Sequence, residues 1–321
     1  MFAVIGEALI DMVQPEPGLM FEAQPGGGPL NIAVGLRRLG HETAFLGRVS
    51  TRPLGDLVRG HIEGNGLDIG TCVMTDDQTT LAFAALDEQG KASYDFYVQQ
   101  TADWGWTDEE LSALPDGCRA VHTGSLAGFL LPGADAILRL WQRCRAQGER
   151  LLSLDPNVRP DLVGPRQDAV ARLERLVATS HVVKASDDDV AWLYPERSLE
   201  EVLDHWSGLG PELVVITAGA DGCYARRPGG APMRATGYAV DVDDTIGAGD
   251  AFASGLLSGI ADAGALSPGA VAALSDADVA GVLDRAVLVS AMTCRRSGAD
   301  PPTREEYEQE ASGIQAGADA G

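Results

Sequence analysis

Short apolar runs alternate along this chain with longer amphipathic ones. Phe2 to Ile5 reads as a buried strand, and Pro29 to Leu39 has the apolar spacing of a helix. Thr43 to Gly47 follows as a strand and Gly55 to Gly64 as a helix. The rhythm returns with strands at Ala120-Val121-His122, Leu151 to Asp155, His181 to Lys184 and Glu212 to Thr217. Between and after them lie helices at Pro132 to Gln147, Arg166 to Thr179 and Leu199 to Leu209. Such alternation predicts an α/β fold, a parallel sheet covered by helices on both faces. Ligands bind such sheets at the carboxyl ends of the strands.

From residue 80 to 103 the texture changes. Leu81 to Leu86 and Ala92 to Tyr97 flank a turn at Asp87-Glu88-Gln89-Gly90 with no helix between them, the pattern of a β-hairpin. Met12 to Glu22 is expected to add strands, so that a small second sheet lies within about residues 12–24 and 80–103. Tyr94, Phe96 and Tyr97 do not alternate cleanly, so at least one faces a partner or a ligand, unless the hairpin is an ordinary surface excursion. One domain is expected over residues 1–310, and the small, polar run from Ala311 to Gly321 reads as a disordered tail.

Composition narrows the class. At 321 residues and 45% apolar content the chain can build a large core, and no apolar run is long enough to span a bilayer. The first ten residues contain Glu7, with Asp11 following, and read as a strand and not a signal peptide. A net charge of −23 argues against nucleic acid and anionic membranes, and means that any polyphosphate must be held by local groups. Cys72, Cys118, Cys144, Cys223 and Cys294 are dispersed without a Cys-x-x-Cys pair, which suggests reduced thiols and a cytoplasmic location. The five histidines are equally scattered, so no zinc site is predicted.

The most informative run is Asp244-Thr245-Ile246-Gly247-Ala248-Gly249-Asp250, which precedes a helix rich in small residues, Ala251 to Ala265. Its glycines permit a tight turn that presents N–H groups, and the helix dipole points the same way, so the run suits a phosphate. Asp250 then places a carboxylate beside that phosphate, where it can accept the proton of an attacking hydroxyl. Taken alone, Gly-x-Gly-Asp is more often a turn and N-cap; the seven-residue string is far more specific.

Continued by Ala251-Phe252, this run resembles the C-terminal signature of the PfkB/ribokinase family of carbohydrate kinases. Gly26-Gly27-Gly28-Pro29-Leu30-Asn31-Ile32-Ala33, closing at Leu39-Gly40, is similar to that family's sugar-binding glycine motif. The order and separation of the motifs fit, and the resemblance covers about residues 1 to 307. Three further strings look most like bacterial fructokinases: Gly6-Glu7-Ala8-Leu9-Ile10-Asp11, Leu154-Asp155-Pro156-Asn157-Val158-Arg159-Pro160 and Gly298-Ala299-Asp300-Pro301-Pro302.

The resemblance implies a ribokinase-like three-layer α/β/α fold with a mainly parallel central sheet. The small β-sheet would be a lid over the sugar, and often a homodimer contact. ATP would be the phosphate donor, with Mg²⁺. Asp250 would be the base, and Gly247, Ala248 and Gly249 would supply the N–H groups of the anion hole. Asp11, Gly27, Gly28 and Asn31 would touch the sugar, with Phe96 from the lid. Read without the resemblance, Asn31 is equally a cap for the helix beginning near Pro29. Arg159 would face phosphate or substrate, or else pair with Asp161.

Thr217-Ala218-Gly219-Ala220-Asp221-Gly222 resembles the nucleotide loop, with Gly219 and Gly222 at the matching places; alone it is only a turn. Lys184 would reach nucleotide phosphates. Ser186 and Asp189 stand where the family has Asn and Glu, and the shorter Asp189 would order a Mg²⁺-bound water. Asp244 and the Ile246 carbonyl match a monovalent cation site, for K⁺.

The segment Tyr94 to Asp103 holds no Arg or Lys, whereas kinases of keto-deoxy sugar acids place an arginine after the lid tyrosine. A neutral sugar is therefore expected, with fructose as the leading reading, phosphorylated at O6 or O1; the resemblance implies O6. 2-Keto-3-deoxygluconate kinase and ribokinase activity are the alternatives. A non-catalytic sugar- or nucleotide-binding regulator is a third, against which the intact Asp250 and anion hole argue.

Overall fold

The computed structural model describes residues 1–14, 18–86 and 92–319. The expected hairpin turn, Asp87 to Gly90, and the side chain of Tyr94 lie outside what is described. In chain order the elements begin with β1 (Phe2–Ile5), β2 (Leu9–Val13), β3 (Glu22–Gly26), α1 (Gly28–Arg38), β4 (Thr43–Leu46), β5 (Arg48–Ser50) and α2 (Pro53–Gly64). They continue with β6 (Val73–Thr75), β7 (Leu81–Leu86), β8 (Ala92–Tyr97), β9 (Ala120–Gly124), α3 (Gly133–Gln147), β10 (Leu151–Asp155) and α4 (Arg166–Thr179). The remainder are β11 (Val182–Ser186), α5 (Asp187–Leu193), α6 (Leu199–Ser207), β12 (Leu213–Thr217), β13 (Cys223–Arg226), β14 (Met233–Ala235), α7 (Ala248–Asp262), α8 (Pro268–Ala272), α9 (Asp276–Cys294) and α10 (Arg304–Asp319).

The central strands are continuous apolar runs because both faces of their sheet are covered. In β1, Phe2 and Val4 enter one core and Ala3 and Ile5 the other; in β12, Leu213 and Val215 separate from Val214 and Ile216 in the same way. The first core contains residues of α1, α2, α7, α8 and α9, the second residues of α3 to α6. The result is a three-layer α/β/α sandwich around an eight-stranded sheet in the order β14-β13-β12-β11-β10-β9-β1-β4. All neighbours from β12 to β4 are parallel. At the far edge β13 and β14 run antiparallel, a departure from the expected alternation. The cause is local: Gly219 and Gly222 both have positive φ and fold the chain straight back after β12.

A separate four-stranded sheet, in the order β3-β2-β7-β8, forms the lid. Its hairpin strands β7 and β8 have the predicted bounds, while β2 and β3 start at Leu9 and end at Gly26, slightly outside the predicted segment. The C-terminal region departs from the expected disordered tail, since α10 runs on to Asp319. Thr303 and Glu306 form a reciprocal cap at its start, and the run that follows is rich in good helix formers.

Small residues bring α1 and α7 together. A Cβ on Gly35 would lie 2.5 Å from Ser254 Oγ, so the two helices approach closely. On the other side of α7, a Cβ on Gly255 would stand 3.0 Å from Ala286 of α9. This packing sets the N-termini of α1 and α7 side by side at the carboxyl ends of the central strands.

Candidate active site

The chain leaves β1 toward β4 on one side of the sheet, and β9 toward β10 on the other. The crevice at the carboxyl ends of such diverging strands is where α/β sheets bind ligands. Here the N-termini of α1 and α7 close that crevice.

The two sequence motifs meet in it directly. Asn31 Nδ2 donates to Asp250 Oδ2 at 2.8 Å, across 219 positions of chain. Asn31 is thus not the cap of α1; the helix begins at Gly28 and its N-cap is Gly27, at φ 114°, which only glycine adopts without strain. A Cβ on Gly28 would stand 3.2 Å from Asp250 Oδ1 and 3.3 Å from Asn157 Nδ2, so a glycine there keeps these polar groups open to a ligand. Asp250 is 8% exposed. Burial pushes its carboxyl up to about 6; the Asn31 bond pulls it back, Asp155 pushes it further up, and Lys184 and Arg159 hold it down.

Asp250 lies in the first turn of α7, whose N-cap Gly247 has a left-handed φ of 73°. A Cβ at Gly247 would press 2.6 Å from that of Ala299. The turn before it is tied by Asp244, whose Oδ1 accepts the Ile246 N–H at 3.0 Å and whose Oδ2 accepts the Gly298 N–H at 2.9 Å. The first N–H groups of a helix have no partner within it, so this turn is suited to an anion, although the Ala248 N–H here already donates to the Thr245 carbonyl at 3.2 Å. Beneath it lies Lys184, bonded at 2.8 Å to Asp155 with both side chains buried. Burial opposes the charge on Lys184, but Asp155, with Asp189 and Asp250, more than offsets this and raises its pKa. Its Nζ would be 3.2 Å from a Cβ on Gly249, so its positive charge sits directly under the anion turn.

Asp11, on lid strand β2, is drawn over the glycine turn: a Cβ on Gly26 would collide with its carboxylate. Burial pushes Asp11 up to about 6, with Arg159 opposing. Asp11 pairs with Gln24 and Ala82, and Ala82 with Phe96, so these four residues form one row on one face of the lid. Arg159 donates to Asn157 Oδ1 at 2.7 Å. No ion pair with Asp161 occurs among the described residues.

Asp189, expected to order a metal-bound water, accepts hydrogen bonds on both oxygens. Its Oδ1 accepts the Val158 N–H at 2.7 Å, and its Oδ2 accepts the Ser186 N–H and hydroxyl, completing the cap of α5. Both oxygens fasten the 155–159 turn to α5. Thr217, Gly219 and Gly222 border a tight turn after β12, closed by the Ala218 N–H to the Gly222 carbonyl at 2.8 Å.

Three site residues were not singled out from the sequence. Asn157 and Ser125 both hold positive φ, 36° and 55°, just past the ends of β10 and β9. Glu7, past the end of β1, is bonded to Ser125 and accepts the Ala127 N–H at 3.3 Å. Their placement two or three residues beyond a predicted strand end was the available signal.

Comparison with known proteins agrees with this arrangement. The pfkB family of carbohydrate kinases matches residues 1–306. A fructokinase of Rhizobium leguminosarum bv. trifolii is 34% identical over 281 residues, covering 86% of this chain and 84% of the relative. The structure of a Xylella fastidiosa fructokinase with bound ATP superposes with a TM-score of 0.86 at 27% identity, covering 97% of this chain and 98% of that one. A double-mutant fructokinase of Vibrio cholerae O395, in its fructose-, ADP- and potassium-bound form, gives 0.81 at 27% identity, with 93% of each chain covered. The chain belongs to the pfkB family of carbohydrate kinases.

Proposed function

We propose that this protein is an ATP-dependent fructokinase that transfers the γ-phosphate to O6 of fructose. The observation that carries the kinase reading is the Asn31–Asp250 bond, which joins the glycine turn of α1 to a buried carboxylate at the mouth of α7. Asp250 accepts the proton of the attacking hydroxyl; its raised pKa makes it a better base than a free carboxylate. The Gly247, Ala248 and Gly249 N–H groups receive the charge on the transferring phosphoryl group, with Lys184 adding positive potential from below. Asp11, Gly27, Gly28 and Asn31 hold the sugar, Phe96 covers it, and Arg159 faces the reacting phosphate or the sugar. Thr217, Gly219 and Gly222 line the nucleotide side.

No three His, Cys, Asp or Glu side chains converge on a metal among the described residues. A Mg²⁺ would therefore come in on the nucleotide, and the residue that fits it is Asp155, whose buried Oδ1 has no partner. Bound there, the ion would neutralise phosphate charge. Asp244 and the Ile246 carbonyl form the candidate K⁺ site beside the anion turn. Leu19, Met20 and Tyr97, at 98%, 76% and 55% exposed, leave apolar surface on the lid that supports a homodimer through it.

Fructose is favoured by the named relatives and by the row Gln24, Asp11, Ala82 and Phe96, which offers no cation to a sugar acid. The test is ATP turnover with fructose, ribose, glucose, 2-keto-3-deoxygluconate and adenosine, with Mg²⁺ and with or without K⁺. Selective phosphorylation of fructose is expected. Preference for 2-keto-3-deoxygluconate would overturn the choice of a neutral sugar and make Arg159 the carboxylate's partner. No turnover with any of the five would favour a binding protein.

A further inference from the structure

Four backbone segments join the lid to the body: residues 6–8, 26–28, 76–80 and 98–104. A buried polar cluster that the chemistry does not use ties them together. At its centre is Asp103, 1% exposed. Its Oδ1 accepts the Ala8 N–H at 2.8 Å, in the first segment, and its Oδ2 accepts the Thr80 hydroxyl at 2.5 Å, in the third. The Thr80 and Thr101 hydroxyls share a further bond of 2.6 Å, and the Ala102 N–H donates to the Gln78 carbonyl at 2.9 Å. Arg48 clasps the same place from the body, donating to the Ala102 carbonyl at 2.9 Å while pairing with Asp77 and Glu110. The second segment rests on the first, because a Cβ on Gly27 would lie 2.6 Å from the Glu7 carbonyl.

A buried carboxylate is costly unless its bonds repay the lost hydration. Here the bonds fix where β2 and β7 leave the body. Asp11 follows Ala8 by three positions, and Phe96 of β8 lies opposite Ala82 of β7, on the same row as Asp11. The angle at which this row stands over the glycine turn is set where the strands leave the body. We propose that Asp103 is a positioning residue, the pin of the lid hinge, which acts on sugar binding through Asp11 and not on nucleotide binding. The inference rests on the sugar-kinase reading above.

The bonds need an acceptor for the Ala8 N–H and a partner for Thr80, not a negative charge. Asparagine supplies both, its Oδ1 accepting from Ala8 and its Nδ2 donating to Thr80. Asp103→Ala supplies neither. Asp103→Ala is expected to raise KM for the sugar about tenfold, the loss of one to two ordinary hydrogen bonds. KM for ATP should stay within about twofold and Asp103→Asn within about threefold of the wild type on both, since it keeps the bonds. A residue that merely stabilised the fold would lower kcat through a smaller active fraction and leave both KM values alone. Equal rises in both KM values, an unchanged sugar KM, or failure of asparagine to rescue would overturn the proposal.

Amide hydrogen exchange on the ligand-free protein separates this proposal from the functional reading, because it needs no turnover. Asp103→Ala should speed exchange at Ala8 and along β2 and β7 while the central sheet keeps its protection. Uniform loss of protection, or none, would contradict the hinge role even if the wild type proved to phosphorylate no sugar tested.

Discussion

A carboxylate asked to take a proton from a sugar hydroxyl works better as a stronger base than free aspartate, and the fold supplies this to Asp250 through burial. With its pKa pushed up to about 6, Asp250 is protonated, and idle, below that pH. Activity should therefore rise with pH through about 6 and level off above 7. Below the midpoint kcat/KM should fall about tenfold per pH unit, or more steeply because Asp11, also pushed up to about 6, titrates in the same range. A profile flat from pH 5 to 8 would remove Asp250 as the titrating base. At this scale the sequence was most legible where its motifs come together: Asp250 and Asn31 share a hydrogen bond, and Gly28 and Gly247 stand at the starts of the helices that carry them. It was least legible where backbone conformation decided. Asn157 and Ser125 come to the site through positive φ, and Asp189 caps α5 together with a neighbouring serine.

Among the elements, α7 carries the site and is held by small residues on two sides. A Cβ on Gly255 would stand 3.0 Å from the Ala286 Cα and from the Val289 Cβ, so a larger side chain must push α7 and α9 apart. Gly255→Val is expected to cost about 1–3 kcal/mol and to lower Tm accordingly. Gly281, exposed in the middle of α9 with nothing near its missing Cβ, is the contrast. Gly281→Ala should be neutral or stabilising by up to about 1 kcal/mol through helix propensity. Thermal melts of the two variants check the pair; a tolerant Gly255 would mean that the helices do not need their close approach. The strands β1, β9, β10, β11 and β12 were readable because their two-sided burial writes unbroken apolar runs. The edge strands β13 and β14 were not, because short, half-exposed strands carry no such run. The long helix α9 went unread because almost every turn of it is apolar or small, and α10 because its alanines and glycines look like a tail.

For the molecule as a whole, two motifs more than two hundred residues apart meet at one proposed reaction centre. Three layers and a lid bring them together, and no membrane-crossing helix is present among the described residues. The excess of acid, at −23, is no bar to anion binding, because the groups proposed to receive the phosphate are local: the N–H groups of the α7 turn, Lys184 and Arg159. The most direct test is to measure both turnover and sugar binding in Asp250→Asn. Asparagine can still accept the Asn31 hydrogen bond, so the pocket should survive. Fructose phosphorylation is expected to fall by about 10²–10⁴-fold while calorimetric binding of fructose stays near the wild-type value. Turnover equal to the wild type would contradict the central claim that Asp250 is the base at which the two motifs meet.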